Sequence, residues 1–111
     1  MSHRIEQVNE LLARELGQII SKELPLEEGF ITISYVKCSP DLLYAKVGFS
    51  VIPDQKAATA QKNLKKHNSL FTKVLQKRTR LGHIPKFDWV IDESGKEADE
   101  MDKLFRQIEK E

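Results

Sequence analysis

Nine basic side chains fall between Asp54 and Asp88, namely Lys56, Lys62, Lys65, Lys66, Lys73, Lys77, Arg78, Arg80 and Lys86, with no Asp or Glu among them. Lysine and arginine at this density neutralise polyanions, phosphates above all, and raise their concentration near the surface. The flanks lean the other way. Residues 1–54 hold five basic and eight acidic residues and residues 88–111 hold four and nine, so a net charge of +1 conceals a basic block. A merely solvated helical face usually mixes signs and gains i,i+4 pairing. An unmixed block points to a surface for nucleic acid, with Lys62, Lys65, Lys66, Lys73 and Lys77 as the leading phosphate contacts. Arg78, Arg80 and Lys86 complete the set. Such contacts supply affinity and register rather than sequence reading.

Other chemistries find little support. His67 and His83 sit inside the basic region without metal-ligand companions, and His3 is remote in sequence. His67 could donate to a phosphate or serve an ordinary capping or surface role. Cys38 is the single cysteine. It excludes an intrachain disulfide, fits a reducing compartment, and at a strand end reads as a small buried hydrophobe rather than a nucleophile. No cofactor, metal site or enzymatic activity is expected. Among the aromatics, Phe87 and Trp89 alternate with Ile91 and belong in a core, whereas Tyr44 lies on a wetter strand face where it could stack on a base.

These residues need a frame. At 111 residues and 40% hydrophobic the chain reads as one domain spanning residues 1–111, able to bury a core of modest stability, roughly 5–15 kcal/mol. The longest stretch without a charge is eight residues, Gly29–Val36, far short of the roughly 18 needed to span a membrane. Glu6 and Glu10 interrupt the N-terminus, which does not read as a signal peptide. The expectation is a soluble, cytoplasmic monomer that takes no small-molecule substrate.

Ser2 can cap a first helix whose stripe is Ile5, Val8, Leu11, Leu12, Leu16, Ile19 and Ile20, closed by Pro25. Two strands follow. In the second, Leu43, Ala45, Val47, Phe49 and Val51 alternate with Tyr44, Lys46, Gly48, Ser50 and Ile52, so one face is buried. Ser39-Pro40-Asp41 supplies turn chemistry for an antiparallel hairpin. Beyond Pro53-Asp54, Ala57, Ala60 and Leu64 form a thin seam opposite Lys62, Lys65 and Lys66. Asn68 or Ser69 is expected to interrupt and recap the chain. A further helix carries Leu70, Phe71, Val74 and Leu75 inward and Lys73, Lys77 and Arg80 on one arc, until Gly82 and Pro85 stop it. Arg78 would fall within the apolar arc, so either the helix frays there or the side chain crosses to a partner. A third strand (Phe87, Trp89, Ile91), a turn at Ser94-Gly95 and a terminal helix over 95–111, with Met101, Leu104, Phe105 and Ile108 on one seam, complete an α-β-β-α-α-β order plus C-terminal helix. The fold class is α+β in two layers, helices on one face of a three-stranded sheet.

That order is similar to the type II KH arrangement. The residues resemble more narrowly those of the bacterial ribosome-binding factor A family. The likeness rests on Arg4-Ile5, Val8 and Leu11-Leu12-Ala13-Arg14-Glu15-Leu16 in the first helix, and on Asp41-Leu42-Leu43-Tyr44-Ala45-Lys46-Val47 with Ser50. Arg80-Leu81, Ile84-Pro85, and Phe87, Trp89, Asp92 and Ser94 extend it to nearly the whole chain. A typical KH module clamps four nucleotides with a GxxG loop, but no two of the five glycines here are three apart. The family instead kinks its helix pair at an Ala-x-Gly, where this chain has His67-Asn68-Ser69, and often has an arginine where Thr72 stands.

The resemblance implies a non-catalytic assembly factor that binds the immature small ribosomal subunit, chiefly through rRNA near its 5′ end, and assists 5′-end processing. The competing reading is a protein-interaction adaptor that docks an acidic partner on the basic helices.

Overall fold

The computed structural model describes residues 2–24 and 29–93. Helix α1 spans Ser2–Glu23 and stops two residues before Pro25. Of its stripe, Val8, Leu12, Leu16, Ile19 and Ile20 are buried, while Ile5 and Leu11 at its margin are half-buried. The expected turn at Ser94-Gly95 and the helix over 95–111 lie outside the described residues.

Strands β1 (Phe30–Cys38) and β2 (Tyr44–Ile52) pair antiparallel. The turn between them works as its residues suggest. The Ser39 hydroxyl donates to Asp41 Oδ1 at 2.5 Å, while the Leu43 and Tyr44 amides donate to Asp41 Oδ1 and Ser39 Oγ at 3.0 and 3.1 Å. These bonds hold the Asp41 carboxyl below its usual range, the Ser39 hydroxyl first and the Leu43 N–H second. Leu43 itself belongs to the turn and is exposed, so the buried row on β2 begins at Ala45.

The register slips once, where Ser34 is passed over between the Ile33–Phe49 and Tyr35–Gly48 pairs. The bulge keeps Ile31, Ile33, Val36 and Cys38 on the face shared with Val51, Phe49, Val47 and Ala45. At the far end of the hairpin Gly29 has φ +115°, and a Cβ there would lie 1.8 Å from the Ile52 carbonyl oxygen. Only glycine fits that entry to β1.

The Ile52–Pro53 peptide is cis. A 3₁₀ turn at Asp54–Lys56 leads into helix α2 (Ala57–Lys66) and helix α3 (Asn68–Arg78). Strand β3 (Lys86–Ile91) then pairs with β2, parallel, giving the order β1-β2-β3. A parallel neighbour needs a crossover connection, and the helix pair is that crossover. Ala45, Val47, Phe49, Val51, Phe87 and Trp89 face the helices and are all buried. Phe71, Phe87 and Phe49 surround Trp89 at 5.4, 5.9 and 6.3 Å between ring centroids, which places Trp89 at the centre of the core. The two-layer α+β arrangement is therefore the one the order of elements implied.

Candidate nucleic-acid interface

An α-helix turns about 100° per residue, so a residue two places from a buried one points away from the core. In α2 the buried residues are Ala60 and Leu64, and in α3 Phe71 and Leu75. Lys62, Lys66, Lys73 and Lys77 each lie two positions beyond one of these, and Lys65 lies one beyond Leu64. All five are exposed. No ion pair engages any of them among the described residues. The solvent side of the helical layer thus carries five ammonium groups that no acid among the described residues compensates.

The break between the helices falls at His67, one residue earlier than expected. Its backbone (φ −97°, ψ 11°) closes α2 by donating to the carbonyls of Asn63 and Leu64 at 3.2 and 3.1 Å. The ring Nδ1 lies 2.7 Å from the Asn63 carbonyl, which can only accept, so Nδ1 carries the proton in that contact. Asn68 does not recap the chain as anticipated. No side-chain cap opens α3, because Asn68 Oδ1 instead accepts from the indole N–H of Trp89 at 2.7 Å. Gln61 Nε2 donates to the Trp89 carbonyl at 2.8 Å. Residues on both sides of the break are thereby pinned to one residue of β3. The signal was present in the sequence, since a buried tryptophan N–H almost always has a partner.

The remaining basic residues part company with this surface. Helix α3 does not fray before Arg78; the guanidinium crosses to α1. Its Nε lies 2.8 Å from Glu15 Oε2 without the N–H aligned on that oxygen, an ion pair rather than a directed hydrogen bond. Its Nη2 donates to Gln18 Oε1 at 2.6 Å. No local sequence pattern points to that partner. Arg80 is exposed but lies beyond the helix, so the expected Lys73–Lys77–Arg80 arc stops at Lys77. Thr79 ends α3 early: it turns extended, and its N–H and hydroxyl both donate to the Leu75 carbonyl, at 2.9 and 2.6 Å. Gly82 and Pro85 come after the stop. Lys86 pairs with Tyr44 in register on the opposite face of the sheet from the helices.

The half-buried Cys38 anchors β1 to α1 through its backbone N–H, which donates to Asn9 Oδ1 at 2.8 Å. Burial pushes its thiol pKa up, the opposite of what a nucleophile needs. No cluster of three or more His, Cys, Asp or Glu suited to a metal occurs among the described residues, and no described helix is long and apolar enough to cross a membrane.

Comparison with known proteins gives these features a family. The family model described as ribosome-binding factor A matches residues 4–105. The chain belongs to the ribosome-binding factor A family. Ribosome-binding factor A of Chlorobium phaeobacteroides is 34% identical over 114 residues, covering 100% of this chain and 98% of that one. The crystal structure of ribosome-binding factor A from Thermus thermophilus superposes with a TM-score of 0.68 at 19% identity, over 78% of this chain and 93% of that one. A homology model of the Thermus protein, fitted into a cryo-EM map of its complex with the 30S subunit, gives 0.68 at 20% identity over 85% and 97%. The shared fold is the type II KH-like one. Ribosome-binding factor A members are not enzymes. In this chain the helix pair breaks at His67, and Gln61 and Asn68 tie the two helices to Trp89.

Proposed function

We propose that this protein binds the immature small ribosomal subunit through rRNA and assists its maturation, including processing at the rRNA 5′ end. It acts in the cytoplasm, as a monomer and without cofactor. The observation that carries the proposal is the set of five exposed lysines on α2 and α3, none in an ion pair among the described residues. Membership of a family named for ribosome binding, and the 30S complex of the Thermus relative, supply the partner. Ammonium groups on the helical layer exchange the counterions of an RNA backbone for protein charge, so affinity falls steeply with salt. The tie between Trp89 and the two helices holds α2 and α3, and so their lysines, in a fixed relation before RNA arrives.

The test is pelleting with purified immature small subunits. Reversal of Lys65, Lys66, Lys73 and Lys77 to Glu should abolish co-sedimentation and leave the circular dichroism spectrum unchanged. Full binding by that variant removes the helical face from the mechanism. A complex that survives complete RNA digestion would instead mark an adaptor docking an acidic protein.

A further inference from the structure

The helices cover one face of the sheet. Among the described residues nothing covers the other, and its composition is not that of an idle surface. By register it carries Phe30, Thr32, Tyr35 and Lys37 from β1, Tyr44, Lys46, Gly48, Ser50 and Ile52 from β2, and Lys86, Asp88 and Val90 from β3. Three of these are lysines and one is an acid.

The aromatics are spaced regularly. Tyr44 stands at the start of β2, Tyr35 lies opposite Gly48, and Phe30 lies opposite Ile52. Each step is four residues along β2, or about 13 Å at the usual strand rise. Tyr44 and Phe30 are 59% and 70% exposed. The Tyr35 ring lies over the Gly48 backbone, with its Cε1 2.1 Å from where a Cβ would stand, so the glycine makes room for the ring. The Lys37 ammonium lies over the Tyr35 ring, 5.4 Å from its centroid, so Tyr35 is held between Gly48 and a cation and the open rings are Tyr44 and Phe30. Lys37 and Lys46 are cross-strand partners between the two tyrosines, and Lys86 stands beside Tyr44.

Rings spaced along an open sheet with lysines between them form the platform on which unpaired bases stack while their phosphates are neutralised. We propose that the helix-free face of the sheet is a second nucleic-acid site, which takes single-stranded RNA by stacking bases on Tyr44 and Phe30 beside Lys37, Lys46 and Lys86. The site lies opposite the α2–α3 lysines and does not rest on them. One protein then holds a structured rRNA element on its helices and an unpaired strand on its sheet.

The experiment is an amide NMR titration of the full chain with oligouridylate of about 12 nucleotides, paired with anisotropy on the same labelled probe. Shifts should map to the outward row of β1, β2 and β3. Tyr44→Ala should weaken binding about ten-fold and Tyr44→Phe should restore it, because the ring and not the hydroxyl stacks. The variant reversed at Lys65, Lys66, Lys73 and Lys77 should still show the sheet shifts, which separates this site from the helical one. Shifts confined to residues 62–77 would overturn the sheet proposal and leave the helical one standing. An acidic peptide that reproduces the sheet shifts, with Tyr44→Ala no weaker, would overturn it in favour of a protein partner. Dilution-dependent shifts at Phe30 and Ile52 without RNA would assign the face to a second copy of the chain and equally overturn it.

Discussion

Asn68→Ala removes one atom pair from the structure, the 2.7 Å bond from the Trp89 indole to Asn68 Oδ1. Trp89 is only 1% exposed, so water cannot readily replace the lost acceptor. A buried donor left unmade costs about 1–3 kcal/mol. Alanine's better helix propensity at the start of α3 offsets at most about 0.7 kcal/mol of that. With the full offset the net loss is about 0.3–2.3 kcal/mol, or about 1–9 °C in Tm at roughly 4 °C per kcal/mol for a domain of this size. Urea unfolding followed by fluorescence reads it directly, because Trp89 is the only tryptophan. The midpoint should fall with the m-value unchanged. A double-mutant cycle with Trp89→Phe, followed by circular dichroism, isolates the pair: in that background Asn68→Ala should cost little. An equal cost in both backgrounds, within about 0.3–0.5 kcal/mol, would refute the claim that this bond holds the helix break.

Three further outcomes are expected. Arg78→Ala should lower stability by about 0.5–1 kcal/mol in chemical denaturation, the modest value of a partly exposed pair, yet leave subunit affinity within two-fold or so of the parent, since one charge changes the salt dependence only slightly. Gly17 lies inside α1, and a Cβ added there would meet nothing within 4 Å, so Gly17→Ala should raise stability by about 0.5–1 kcal/mol in thermal melts. The Asp41 carboxyl, held low by Ser39 and Leu43, adds stability that is present above its unfolded pKa and is lost as pH falls through the folded one. Asp41→Asn should flatten that acid limb in melts recorded below about pH 4.

Much of this architecture was legible because period and burial agree. The α1 stripe and the β2 alternation are long enough to override local noise, and the charge block needs no structure to be seen. The misreadings share a cause: a sequence pattern can run past the element that generates it. The β2 alternation extends back to Leu43, but Asp41 and Ser39 capture the amides there and keep the residue in the turn. The i+4, i+7 rhythm reaches Arg80, but Thr79 bonds back to Leu75 and ends the helix first.

The candidate site was legible in its charge and not in its geometry. Linear distance groups Lys86 with the helical lysines, although its alternation with Phe87 and Trp89 puts it on the outer sheet face. Arg78 announces itself as a conflict within an apolar arc. Its resolution requires α1 and α3 to be neighbours, which no local pattern encodes. The parallel pairing of β3 is equally hidden, because strand periodicity is the same in both directions.

The proposed role has this protein riding on immature small subunits through its basic helices. Sucrose-gradient sedimentation of a source-organism lysate at low and moderate salt, with detection of the protein across the fractions, tests it most directly. A helix-borne assembly factor should co-migrate with free small subunits, be enriched where rRNA ends are unprocessed, be absent from translating ribosomes and leave the particles as salt rises. Protein that stays at the top of the gradient in both salts would contradict that role.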